Sequence, residues 1–185
     1  MAAPGRVILL NGVGSAGKSS IARALQVVAR ETFLHVAMDA FLDMLPAALF
    51  DHPEGLVFET RTVDGRPEVV IHTGPAAERA LVGMQHAVVA MAQAGNNLIV
   101  DDVMLGDTMA EYRRLLAGIV NHAVGVHAPL DVLEARERAR GDRMIGLSRW
   151  QFPRVHAGIA YDLEIDTASA TPEACARLIC ERLGL

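Results

Sequence analysis

Lysine is almost missing from this sequence. The 185-residue chain has one, Lys18, against sixteen arginines. Cysteine is nearly as scarce, with Cys175 and Cys180 five residues apart on the last predicted helix. That spacing puts the two thiols on different helical faces, which argues against a disulfide and for a reducing compartment. No apolar run approaches the roughly 20 residues of a membrane span. The opening "MAAPGR" lacks the charged segment and long apolar stretch of a secretory signal, so the expected location is the cytoplasm. Positive charge is not in excess either. The net charge of −5 speaks against a nucleic-acid backbone as the main partner. The seven histidines show no metal-ligand spacing. His122 and His127 fall in or beside a predicted strand, and only His156 is a functional candidate. There is no internal repeat, linker or low-complexity tract, so residues 1–185 read as a single domain.

What is present is a globular composition, 51% apolar and 21% charged. Segments rich in Val, Ile and Leu alternate with helical patterns. "RVILLN" (6–11), "FLHVAMD" (33–39), "NNLIVDD" (96–102), "IVNHAVGVHA" (119–128) and "YDLEID" (161–166) read as five strands. Helices are expected after the first strand to about 30, in a short piece after the second strand interrupted or ended near Pro46, then over 76–94 (with Ala77, Leu81, Met84, Val88 and Met91 on one core-packing stripe), 108–117, 130–140 and 172–183. Apolar strands separated by helices imply a parallel sheet covered on both faces, an α/β fold. "LVFETRTVDGRPEVVIHTG" (56–74) alternates around Asp64-Gly65 and predicts a hairpin.

The lone lysine sits in "GVGSAGKS" (12–19), between the first strand and the first helix. This is the phosphate-loop pattern G-x-x-x-x-G-K-S. Gly12, Gly14 and Gly17 allow backbone angles and close approaches that other residues resist. The N–H groups of Val13, Ser15, Ala16 and Ser20, with those of the fixed positions, can then cradle phosphates at the helix N-terminus. A compact ammonium at Lys18 follows the β- and γ-phosphates better than a planar guanidinium would. Ser19 supplies a hydroxyl to Mg²⁺. The sequence therefore calls for ATP and Mg²⁺.

Asp39 closes the second predicted strand on the side of the sheet where the phosphate loop lies. It reads either as a base that accepts a hydroxyl proton or as a helix cap for "AFLDML". Asp101 and Asp102 close the apolar "LIVDD", and one of them would serve the metal; strand phase decides which. "ARERARGDRMIGLSRWQFPR" (135–154) carries six of the sixteen arginines. Arg136 and Arg140 share a helical face, and the segment from about 136 to 155 reads either as a closing lid or as a solvated helix. No second lysine exists to form the N-K-x-D signature of a GTPase, and the length suits a small kinase.

On these segments the chain resembles the chloramphenicol phosphotransferase-like proteins. "ILLNGVGSAGKSSIARALQ" is similar to that family's strand, loop and helix, and "VAMDAFLDMLP" to its aspartate segment ending in proline. "AQAGNNLIVDDVMLG", "ARERARGDRMIG" and "VHAGIAYDLEIDT" resemble its second acidic motif, lid and final strand. The resemblance implies a P-loop fold of the nucleoside-monophosphate-kinase type and an ATP-dependent kinase for a small-molecule hydroxyl, that of chloramphenicol. It assigns the general base to Asp39, phosphate and metal contacts to Lys18 and Ser19, and lid arginines to Arg140 and Arg143. Val13-Gly14 and Arg149-Trp150 depart from the family pattern, and residues 41–58 match it loosely. A same-fold kinase for another metabolite or nucleotide, and a non-catalytic ATP-binding sensor, are the two rival readings.

Overall fold

The computed structural model describes residues 3–141 and 144–185. Its centre is β1 (Val7–Asn11), five residues all shut off from solvent. A strand with neighbours on both edges and helices on both faces has no polar side, so "VILLN" reads as a continuous apolar run. Along the chain follow α1 (Lys18–Val28), β2 (Phe33–Ala37), α2 (Met38–Leu42), β3 (Leu56–Val63), β4 (Arg66–Thr73) and α3 (Pro75–Gln93). Then come β5 (Asn97–Asp102), α4 (Thr108–Leu115), β6 (Asn121–His127), α5 (Leu130–Arg140), α6 (Leu147–Gln151), β7 (Leu163–Asp166) and α7 (Pro172–Leu183).

Five strands form one parallel sheet in the order β2-β5-β1-β6-β7. Strand alternation divides its core. Ile8, Leu10, Ile99 and Val124 pack under α1 and α7, while Val7, Leu9, Leu98 and Val100 pack under α3 and α4 with the buried ring of Tyr112. Thr171 caps α7, its hydroxyl accepting the Ala174 N–H at 3.2 Å. Both cysteines are free thiols. Among the described residues, no helix is long and apolar enough to cross a membrane.

β3 and β4 stand apart as an antiparallel hairpin. Asp64 and Gly65 both take positive φ (49° and 72°), the geometry that matches a two-residue turn to strand twist. The hairpin rests on α6. The Val69 N–H donates to Gly146 O at 3.0 Å, and a Cβ on Gly146 would come within 2.5 Å of Pro67 O.

One boundary and one buried face differ from the sequence reading. β2 ends at Ala37, so Asp39 lies in the first turn of α2 and not at the strand end. The chain turns helical there, with Asp43 N–H donating to Asp39 O at 2.8 Å. Nor does Asp39 cap the helix, since that position falls to Ala37 with no side-chain bond. On α3 the buried stripe is Ala77, Met84, Val88 and Ala92, whereas Leu81 faces a cavity.

Candidate active site

β1 delivers the chain to Gly12, where a Cβ would lie 2.4 Å from Val126 O, so only glycine fits against β6. Ser15 and Gly17 then take positive φ, 66° and 94°, turning the loop into α1. For serine that is an uncommon conformation, tolerated in a tight turn. Lys18 opens the helix and is only 6% exposed. Its Nζ donates to Gly12 O at 2.9 Å and Val13 O at 3.1 Å and lies 3.8 Å from Asp101 Oδ1. In the first turn of the same helix, Ser20 borders the loop's two cavities.

Strand phase separates the two aspartates of β5. Asp101 lies on the Ile99 face, towards α1, and its Oδ2 accepts the Ser19 hydroxyl at 2.6 Å. His35 Nε2 is 3.3 Å from the same oxygen. Burial opposes ionisation of Asp101. The His35 hydrogen bond, the Lys18 charge and the Ser19 hydroxyl outweigh it and hold the carboxyl below its ordinary range. Asp102 points to the opposite face, where it accepts the Val103 N–H at 2.7 Å and the Tyr112 hydroxyl at 3.3 Å. Its burial dominates, and its pKa is pushed up to about 6. A hydroxyl beside an ionised carboxylate, both hard oxygen donors, has the chemistry of a Mg²⁺ site, and Ser19 and Asp101 are the residues that could hold one.

A cavity of about 550 Å³ opens from the loop. Lys18, Ser19, Asp101, Asp102 and Arg140 border it, together with Asp39 of α2 and Asp43, the residue that ends that helix. Its apolar wall carries Phe50, Phe58 and Trp150, three of only eight aromatic residues in the chain. A smaller space of about 430 Å³ also borders the loop at Ser15 and Gly17 and is lined by Arg136, Arg140, Thr167 and Pro172. Arg136 is fixed there, donating to Thr167 Oγ1 at 2.9 Å and Thr167 O at 2.7 Å. Arg143 lies outside the described residues. His156 sits away from both cavities, stacked on His127 at 3.9 Å between ring centroids and 2.8 Å from the Tyr161 hydroxyl.

The sequence model of the chloramphenicol phosphotransferase-like proteins matches residues 5–184. The chain belongs to the chloramphenicol phosphotransferase-like family. A relative from Mycobacterium tuberculosis, provisionally named an O-phosphotransferase, is 36% identical over 174 residues, 91% of this chain and 77% of the relative. The APS kinase of the same organism, solved with AMPPNP and APS, superposes with a TM-score of 0.69 at 16% identity, covering all of both chains. A gluconokinase from Sinorhizobium meliloti gives 0.63 at 16% identity, covering 100% of this chain and 94% of that one. These likenesses show a P-loop kinase fold, and the family and its relative make this member a phosphotransferase.

Side chains outside residues 12–19 hold the phosphate loop or the helix beside it. Gln151 Oε1 accepts the Gly14 N–H at 2.7 Å, and Thr167 Oγ1 donates to Ala16 O at 2.9 Å. Glu137, 2% exposed, accepts the N–H groups of Gly146 and Ser148, each at 2.8 Å. Thr167, one residue past β7, is the one with a sequence signal, since the carboxyl ends of parallel strands line the crevice.

Proposed function

We propose that this protein is an ATP-dependent O-phosphotransferase whose acceptor is a hydroxyl on a small amphiphilic molecule, with chloramphenicol as the first candidate. One observation carries the reading: a single cavity joins the phosphate-loop lysine to a carboxylate and an aromatic wall. The triphosphate lies along residues 12–19, with Lys18 releasing its loop carbonyls to meet the β- and γ-phosphates. The base and ribose take the smaller space beside Arg136 and Thr167.

The acceptor sits among Phe50, Phe58 and Trp150 with its hydroxyl turned to Asp39. The Asp39 carboxylate takes the hydroxyl proton as the oxygen bonds to the γ-phosphorus. The bond from that phosphorus to the β–γ bridging oxygen breaks, and ADP leaves with the electron pair. Arg140 faces the charge that builds on the transferred group. Ser19 and Asp101 would hold Mg²⁺, which neutralises phosphate charge when bound. The segment from 136 to 155 acts as the lid, and the 56–73 hairpin walls the acceptor.

The test is ADP release with ATP and a panel of hydroxylated compounds, with product located by phosphorus NMR. Acceptor-dependent ADP and a phosphate monoester on an aromatic or apolar alcohol support the reading. Tight ATP binding with no acceptor-dependent ADP across the panel points to a nucleotide sensor instead.

A further inference from the structure

α6 is only five residues long, yet it is fixed at its start. Glu137 accepts the N–H groups of Gly146 and Ser148, and Gly146 O accepts from Val69 of the hairpin. Held in this way, α6 presents Ser148 and Gln151, three residues apart and so on one face, to the phosphate loop. Ser148 Oγ donates to Gly14 O at 3.3 Å while Gln151 Oε1 accepts the Gly14 N–H at 2.7 Å. Both backbone polar groups of Gly14 are thereby engaged by α6.

The second of these bonds sets the direction of the whole amide. A backbone N–H can only donate, so the Gln151 atom facing it is the carbonyl oxygen. The NH₂ group must then point away from Gly14. Among the described residues this NH₂ group has no protein partner, and it is not sealed from the cavity. Gln151 is 4% exposed and borders the main cavity together with Lys18, Ser19, Asp39 and Arg140. The donors therefore open onto the cavity, where an acceptor that enters can take them up without competition from a protein group. On the kinase reading, the group that enters this cavity beside Lys18 is an anionic phosphoryl.

We propose that Gln151 is a catalytic residue whose side-chain NH₂ donates to the oxygens of the transferred phosphoryl group, aimed by the bond between its carbonyl and Gly14. This rests on the kinase reading above. It makes the contact specific for the third phosphate, which a residue that merely shapes the loop would not do.

The experiment compares affinities for ADP and for a non-hydrolysable ATP analogue by titration calorimetry, in the wild type, Gln151→Glu and Gln151→Met. Gln151→Glu keeps an oxygen for Gly14 but loses the donors, and Gln151→Met keeps the volume but loses both functions. Both variants should weaken the analogue relative to ADP by about tenfold or more, the usual effect of losing a hydrogen bond to a charged group. A new negative charge repels the nucleotide on its own, so the neutral methionine variant must show the same change in ratio. Acceptor KM should hold while kcat falls, and thermal melting confirms that each variant is folded. If either folded variant keeps the wild-type ratio of the two affinities, the proposal is overturned while the kinase reading stands. If the wild type binds neither nucleotide, both fall together.

Discussion

Ser19 Oγ donates to Asp101 Oδ2 at 2.6 Å, so the two oxygens expected to share a metal already touch in the protein alone. Replacing Asp101 with Asn leaves an oxygen for Ser19 and removes the charge. Turnover should fall on the order of 10²-fold, the scale of losing a well-placed electrostatic contact. Ser19→Ala, which keeps the carboxylate, should lose less. Turnover measured against total Mg²⁺ checks this. Wild-type rates in both variants at every Mg²⁺ level would contradict the assignment.

Asp102 and His156 give stability two opposed pH slopes. Burial raises Asp102 to about 6, so between about pH 4 and 6 the unfolded chain gives up its proton first and stability falls as pH rises. Burial, followed by the charges of His127 and Lys18, lowers His156 to about 4. Between about pH 4 and 6.5 the unfolded chain therefore binds the His156 proton first, and stability rises with pH. Asp102→Asn removes the first slope. The variant should gain stability steadily from pH 4.5 to 6.5, and at pH 7.5 should exceed the wild type by as much as ~3 kcal/mol. Urea unfolding at four pH values decides it, and a less stable variant at pH 7.5 counts against the account.

Gly146 joins the hairpin to α6 through a contact with no room for a side chain. It has φ of 105°, and its Cβ would sit 2.5 Å from a backbone oxygen of Pro67. Gly146→Ala should cost more than the ~1–2 kcal/mol of a left-handed alanine alone. Gly118→Ala, at φ of 84° with nothing within 4 Å, is the matched control and should cost only that strain. Equal losses in the two variants, read from urea midpoints, would mean that the Pro67 contact is slack.

The sheet was legible because burial on both faces leaves parallel strands no polar positions: "VILLN" and "NLIVD" could hardly be anything else. The phosphate loop was legible because its chemistry fixes residue types at fixed spacing. The choice between Asp101 and Asp102 was not legible, since adjacent residues of a strand face opposite ways and an apolar run carries no mark of phase. Asp39 was expected at a strand end and lies in the first turn of a helix, because a five-residue α2 leaves too short a pattern to separate from the strand before it. Gln151 escaped for another reason. Its partner, Gly14, is 137 residues away, and a lone glutamine on a short helix has no periodicity to announce it.

The central claim is that Asp39 deprotonates the acceptor across the cavity from Lys18. Phosphoryl transfer by Asp39→Asn, followed in a single turnover beside calorimetric binding of the ATP analogue, tests it most directly. The account predicts nucleotide affinity within about twofold of the wild type and transfer slowed by ~10²-fold or more, the usual contribution of a general base. An Asp39→Asn protein that transfers phosphate at more than about a tenth of the wild-type rate would contradict it.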